Sequence, residues 1–323
     1  MPKIFYNSLG TEEMYGLIRE VMPEGFELVT LETDEDGERR RKIGDCEVAI
    51  VAAKPIDTSV IEAAGKLRLV HHQGVGYHDT VDTRSLVKRG IRLALTPAGT
   101  TTGVAEHALL LALAAAKRLS FADSELRRGR WHINSLRPVS VEICGKVVGY
   151  IGFGQIGQAT ARRFKAFGAT GMYHDPYASH DPRRDAELDV RPGDLEELLT
   201  QCDIISIHTP LTDETRHMIS YEQFAMMKPT VILVNTARGP IVNEAALVDA
   251  LSSGRILAAG LDVFETEPVD PNSPLCALEN IVMTPHISAG TIDALKGKMR
   301  ALFANLERFF RGEPLENEVK LNH

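Results

Sequence analysis

Tryptophan occurs once in 323 residues, cysteine four times, and aromatic side chains make up only 6% of the chain. The cysteines, Cys46, Cys144, Cys202 and Cys276, stand far apart with no CxxC pair. That excludes a small disulfide-stapled domain and offers no zinc spacing, so no metal is expected and a reducing, cytoplasmic compartment fits best. Long apolar runs are also missing. The longest, Ala108 to Ala116, has nine residues, about half of what a bilayer span needs. The N-terminal MPKIFYNSLG lacks the basic segment and apolar stretch of a signal peptide. Positive charge is in deficit, with 36 Lys and Arg against 44 Asp and Glu and a net charge of −8. This argues against a nucleic-acid or membrane partner, but not against a small anion, which one buried arginine can bind locally.

What is present is ordinary globular composition, 44% hydrophobic and 25% charged, in a chain long enough for about two domains. Short apolar strands are expected at Lys3–Tyr6, Glu47–Ala52, Leu67–His71 and Ile91–Leu95, with helical periodicity at Thr11–Val21 and Asp57–Ala64. Alternation of this kind predicts a parallel sheet. The mixed-charge stretch TDEDGERRRK, Thr33–Lys42, reads as a solvated segment. Val104–Leu119 is rich in Ala and Leu on nearly every face, which suits a helix buried on several sides, as between two domains. Six further strands follow, at Lys146–Ile151, Thr170–His174, Asp203–Ile207, Val231–Asn235, Ala258–Leu261 and Ile281–Thr284. Six strands with helical crossovers meet the requirement of a doubly wound dinucleotide domain. The last periodic helix, Thr291–Phe310, runs into Arg311-Gly312, a basic turn and a C-terminal glycine.

The segment KVVGYIGFGQIG carries Gly152, Gly154 and Gly157 in GxGxxG spacing, directly after an apolar strand and before a helical QATARRFKAFG. The glycines allow a tight turn, close approach of a pyrophosphate and packing of helix on strand. The helix N-terminus is an anion site. Asp175 closes the next strand eighteen residues after Gly157, where a carboxylate can bond the adenosine ribose hydroxyls and repel a 2′-phosphate. NAD is therefore the expected cofactor, the plainer reading of Asp175 being a turn acid before Pro176.

Other distinctive residues fall at strand ends: His208-Thr209-Pro210, Thr236-Ala237-Arg238, Asp262 and His286. In an open α/β sheet these ends border the ligand crevice. Arg238, after VILVN, suits bidentate binding of a carboxylate and neighbouring carbonyl. His286 is a candidate acid and base, and Glu267 a partner that fixes its tautomer and favours its charged form.

The residues GFGQIG, HTPLTDETRHMI, VNTARGPIVNEAAL, AGLDVFETEP and NIVMTPHISAGT resemble the successive signatures of the D-isomer-specific 2-hydroxyacid dehydrogenases. The likeness runs from about Leu67 to Glu318; the first 66 residues match loosely. It implies an α/β protein of two doubly wound parallel-sheet domains. A Rossmann NAD domain, residues 101–289, would be inserted into a flavodoxin-like substrate domain, residues 1–100 and 290–323, with catalysis in the cleft between them. By resemblance Arg238, Glu267 and His286 form the catalytic triad. Gln155, Ile156, Pro210, Thr215 and Asp262 line the cofactor, Ala237 and Ser288 with Ala289 lie beside the nicotinamide, and Asp262 accepts from its carboxamide. Val75 and Gly76 bind the substrate carboxylate through main-chain donors. The implied reaction interconverts a small 2-oxo acid, such as glyoxylate or hydroxypyruvate, and its D-2-hydroxy acid, in a homodimer built on the NAD domains.

Two features depart from the family pattern: an extra residue between GVG and Asp82 in GVGYHDTVD, and the pair His71-His72. The histidines either meet a polar substrate tail or end the strand. Trp131, after RRGR, is expected in core or dimer packing, or at a cleft. Glu267 argues against formate oxidation, since formate dehydrogenases of this superfamily place Gln beside the His. Phosphoglycerate oxidation and an NAD-sensing corepressor remain alternatives. The chain stops soon after the last helix, so no appended regulatory domain is expected.

Overall fold

The computed structural model describes residues 1–52 and 54–321. The chain divides into two compact units, one of Met1–Thr100 with the segment from Gly290 onward, the other of Thr101–Ala289. The first carries β1 (Lys3–Tyr6), α1 (Glu12–Val21), β2 (Glu27–Val29), α2 (Asp36–Ile43), β3 (Val48–Val51), α3 (Thr58–Ala63), β4 (Leu69–His72), α4 (Thr83–Arg89) and β5 (Arg92–Leu95). Then come α5 (Thr100–Ala116), α6 (Leu119–Arg127), α7 (Ile133–Leu136), β6 (Val147–Ile151), α8 (Gln155–Ala166), β7 (Thr170–His174), α9 (Pro182–Leu188) and β8 (Val190–Pro192). The second unit continues with α10 (Leu195–Gln201), β9 (Ile204–Ile207), α11 (Tyr221–Met226), β10 (Ile232–Asn235), α12 (Glu244–Ser252), β11 (Ala258–Leu261) and β12 (Ile281–Met283). A last helix, α13 (Ile292–Arg311), returns to the first unit.

Both sheets are parallel, and both are doubly wound. The first has the order β2-β1-β3-β4-β5 and the second β12-β11-β10-β9-β6-β7-β8. These are the flavodoxin-like and Rossmann orders, each reversing beside its first strand. Strands such as VAIV, IISI and ILVN are buried along their whole length, as helices on both faces require. In β1 the alternation is visible: Phe5 packs with Ala49, Val51 and Val70 on one face. Ile4 and Tyr6 meet Met299, Leu302, Phe303 and Leu306 of α13 on the other. In the second unit Val148, Tyr150, Ile232 and Val234 pack against α5 through Ala108, Leu111 and Ala112. Ile205, Ile207 and Leu233 face Leu198, Phe224 and Leu247 of α10 to α12. Caps set the helix ends: Thr11 accepts from the Met14 N–H and Thr291 from the Ala294 N–H, while Gly312 closes α13 in the left-handed region.

Three features differ from the sequence reading. The segment Thr33–Lys42 is not a solvated stretch but contributes α2, with Glu38 and Arg39 buried. The charges enter because each finds partners. Arg39 pairs with Asp34 and Asp36 and donates to the Asn7 carbonyl. Glu38 accepts from the Glu32 and Thr33 N–H groups and pairs with Lys42. The second sheet has seven strands rather than six, β8 being a three-residue edge strand with an exposed proline. The first sheet likewise gains the three-residue edge strand β2.

Candidate active site

The site grows from the switch point of the second sheet, where β6 lies beside β9 and their carboxyl ends leave a crevice. Gly152 ends β6 at φ +89°, and a Cβ there would lie 2.7 Å from the carbonyl carbon of His208 and the nitrogen of Thr209, which follow β9. Only glycine fits both the dihedral and the contact. Gly154 is the N-cap of α8 and offers no side-chain cap; a Cβ built on it meets nothing within 4 Å. The helix start thus lacks a side-chain cap over its first N–H groups and has room beside Gly154, which fits a pyrophosphate. Asp175 follows β7. Its Oδ2 accepts the Phe153 N–H at 2.7 Å, and its Oδ1 accepts the N–H groups of Tyr177 and Ala178. One lone pair of Oδ2 is left for a ribose hydroxyl.

Two buried polar atoms in this region have no hydrogen-bond partner among the described residues: Nδ1 of His208 and Oγ1 of Thr236. His208 Nε2 meets Ser206 Oγ at 2.9 Å, and burial pushes the imidazole down to about 3, so it stays neutral. Buried groups left open in this way fit a site completed by a polar ligand. Thr215 closes the turn after β9, donating to the Pro210 carbonyl at 2.7 Å.

The residues of the expected catalytic set follow the ends of β10 to β12. Asn235, buried at the end of β10, shapes the Arg238 turn by donating to the Arg238 carbonyl and accepting the Ala237 N–H. The turn passes so close to the chain after β11 that a Cβ on Gly239 would sit 1.9 Å from Phe264 C. His286 Nδ1 lies 2.8 Å from Glu267 Oε2, while Glu267 Oε1 accepts the Phe264 N–H at 3.0 Å. Burial raises the Glu267 carboxyl, but the hydrogen bond and charge of His286, the Phe264 N–H and the Arg238 charge outweigh it and hold the group below the usual glutamate value. Glu267 is thus anionic, and it fixes the proton of His286 on Nδ1 or both nitrogens.

Asp262 is fully buried and holds the His286 loop. Its Oδ1 accepts from Thr284 Oγ1 at 2.6 Å and from the Ile287 N–H at 2.9 Å, its Oδ2 from the Ser288 N–H at 2.8 Å. His107 on α5 reaches the same cluster, its Nε2 2.8 Å from Thr284 Oγ1. Sequence reasoning passed over His107 and Asn235. The one signal was a histidine and an asparagine inside otherwise apolar elements, VAEHALLLAL and VILVN.

In the first unit, Val75 and Gly76 lie on the loop after β4, with Val75 48% exposed. His71 points into the unit instead: Nδ1 is 3.3 Å from Thr96 Oγ1 and Nε2 3.0 Å from Asn305 Nδ2. It therefore lies within β4 with its ring taken up inside the unit. His72 is buried as well. Trp131 is 76% exposed, which removes core packing from its expected roles.

A family model described as the D-isomer specific 2-hydroxyacid dehydrogenase NAD binding domain matches residues 109–288. A glyoxylate reductase of Korarchaeum cryptofilum is 41% identical over 86% of this chain and 84% of that protein. A D-3-phosphoglycerate dehydrogenase of Archaeoglobus fulgidus is 38% identical over 87% of this chain, which spans about half, 53%, of that longer relative. The D-lactate dehydrogenase structure from Escherichia coli superposes with a TM-score of 0.86 at 28% identity, covering 99% of this chain and 100% of the other. No helix among the described residues is long and apolar enough to cross a membrane. The chain belongs to the D-isomer-specific 2-hydroxyacid dehydrogenase family, as an oxidoreductase that uses a nicotinamide dinucleotide.

Proposed function

We propose that this enzyme reduces a small 2-oxo acid of the glyoxylate or hydroxypyruvate class to the D-2-hydroxy acid, with His286, Glu267 and Arg238 as the reacting set. The observation that carries the reading is the 2.8 Å contact between His286 Nδ1 and Glu267 Oε2. It leaves Nε2 as the nitrogen available to a substrate.

The nicotinamide dinucleotide, when bound, supplies the hydride. The chain's own residues do the rest. Glu267 keeps the Nδ1 proton in place and offsets the positive charge of a doubly protonated ring. His286 then donates its Nε2 proton to the carbonyl oxygen as negative charge develops there, and recovers a proton from solvent after product leaves. The Arg238 guanidinium binds the carboxylate and polarises the adjacent carbonyl, supplying orientation and charge stabilisation together. Gly152 to Gly157, Asp175, His208, Thr209, Pro210, Thr215, Thr236, Ala237, Asp262, Ser288 and Ala289 are proposed to form the cofactor's surroundings, and Val75 and Gly76 to donate main-chain N–H groups to the substrate carboxylate.

Glyoxylate stands first among substrates because the glyoxylate reductase relative matches over most of both chains; the phosphoglycerate dehydrogenase matches over about half its own length. Residues 101–289 are assigned to the NAD domain and residues 1–100 with 290–323 to the substrate domain. We also propose NADH over NADPH, a homodimer through the NAD domains and a reducing, cytoplasmic compartment, the last on the four free cysteines. Steady-state oxidation of NADH against glyoxylate, hydroxypyruvate, pyruvate and 3-phosphohydroxypyruvate tests the reading. Turnover highest with glyoxylate or hydroxypyruvate is expected; no turnover with any of the four would overturn it. Light scattering tests the dimer.

A further inference from the structure

Beside the glycine turn lies a charged cluster that proton transfer does not use. Phe153, between the first two glycines, is fully buried. Its ring stacks on Tyr173 of β7 with centroids 4.2 Å apart and planes at 8°. Arg184 of α9 covers both rings, its guanidinium carbon 5.1 Å from the Phe153 centroid and 5.3 Å from that of Tyr173. The arginine is itself fixed. Nε and Nη2 donate to Asp185 Oδ1 at 2.9 and 2.7 Å, and Nη2 donates to the Tyr173 hydroxyl at 3.0 Å. That hydroxyl in turn donates to Asp185 Oδ2 at 3.0 Å, where His180 Nδ1 also arrives at 3.0 Å.

Asp185 is 5% exposed, and holding an ion pair there carries a desolvation cost that helix formation does not require. Capping of α9 is already done by Asp181, which accepts the N–H groups of Arg183 and Arg184. What the cluster does contact is the Phe153 ring. The main chain of that residue is held separately, its N–H by Asp175 and its carbonyl by Gln158 Nε2 at 2.8 Å. Ring and backbone are pinned by different partners, and the pinned residue sits inside the turn that leads into the uncapped start of α8.

We propose that Arg184 and Asp185 are positioning residues for the dinucleotide: by clamping the Phe153 ring they hold the Gly152–Gly157 turn in the shape that receives the pyrophosphate. Their contribution falls on affinity for the ADP half and not on hydride or proton transfer. The inference rests on reading that turn as the pyrophosphate loop.

The test uses the purified full chain and ADP-ribose, which lacks the nicotinamide, followed by isothermal titration calorimetry. Arg184→Met keeps apolar cover over the rings and removes the charge. Losing a partly desolvated cation–π contact is expected to weaken ADP-ribose binding about five- to tenfold, to raise KM for NADH by the same factor, and to leave kcat at saturating NADH within about twofold. Tyr173→Phe keeps the ring stack and removes only the hydroxyl bridge, and is expected to weaken binding by about two- to threefold. Arg184→Lys restores part of the loss. Variants that bind ADP-ribose as tightly as the wild type, or that lose kcat at unchanged KM, overturn the proposal. If Arg184→Met does not fold, Tyr173→Phe decides by the same criterion. A wild-type chain that binds no ADP-ribose would instead overturn the assignment of the turn.

Discussion

Asp262 and His286 are locked together through the main chain: His286 donates its N–H to the Asp262 carbonyl at 2.9 Å, and the Asp262 carboxylate accepts the next two N–H groups of the same loop. The arrangement matters because His286 has φ +53°, a left-handed conformation that a non-glycine residue adopts only when its surroundings impose it. Asp262→Asn replaces one acceptor with an NH2 group facing an N–H or a hydroxyl that needs an acceptor. We expect a stability loss of about 2 kcal/mol in urea unfolding and a kcat at least about tenfold lower. Unchanged values of both would show that the loop holds its shape without the carboxylate.

His286→Ala should lower kcat by about 10²- to 10⁴-fold, the usual worth of a positioned acid, with NADH affinity by fluorescence titration within about twofold of wild type. Near-normal turnover would remove His286 from the reaction. Glu267→Gln keeps a hydrogen-bond acceptor without the charge. It should cost about tenfold or more in kcat, because the ring loses the carboxylate charge it is hydrogen-bonded to.

Acid should destabilise the protein through its buried histidines. Burial holds His71 down to about 4, the backbone of His72 opposing this slightly and the charge of His72 adding to it, while the unfolded chain titrates near 6.5. The stability linked to a depressed histidine is complete above the unfolded value and lost as pH falls from about 6.5 toward the folded value, on the order of 3 kcal/mol for His71. His208 acts in the same direction. Urea midpoints between pH 7.5 and 4.5 should therefore fall, and His71→Gln should flatten the slope. A level profile in the wild type would contradict the buried neutral state.

Cofactor preference is expected to follow from Asp175. Its Oδ1 is occupied by two N–H groups and its Oδ2 by one, so the carboxylate is held in place and its charge is expected to repel a 2′-phosphate. NADH should give a higher kcat/KM than NADPH; the reverse order would show that Asp175 does not discriminate.

Much of the fold was legible because β-branched runs such as VAIV and ILVN announce strands covered on both faces, and because a glycine turn between strand and helix leaves few alternatives. The edge strands β2 and β8 escaped because three residues, one of them a proline in β8, carry no periodic signal. Helix α2 escaped because its charges look solvated until Asp34, Asp36 and Asn7 are seen around Arg39. At the site, residue types pointed to chemistry, but the nineteen-residue separation of Glu267 and His286 says nothing of their contact. The supporting parts, His107 and Asn235, acquire meaning only through the Thr284 hydroxyl and the Arg238 turn that they touch, which belong to other stretches of chain.

The return of α13 to the first unit has a consequence during synthesis. One face of that sheet, with Ile4, Tyr6, Ile50 and Leu69, is covered by residues 299 to 309, which leave the ribosome some two hundred residues after β5. The inserted unit can close its own sheet first, because all its strands are contiguous. The earlier-made strands must wait with the part of that face bare that α1, through Tyr15 and Ile18, does not cover. At roughly 5–20 residues per second that wait lasts on the order of ten seconds or more, an interval in which nascent chains depend on chaperone cover and in which shortening α13 would do its damage.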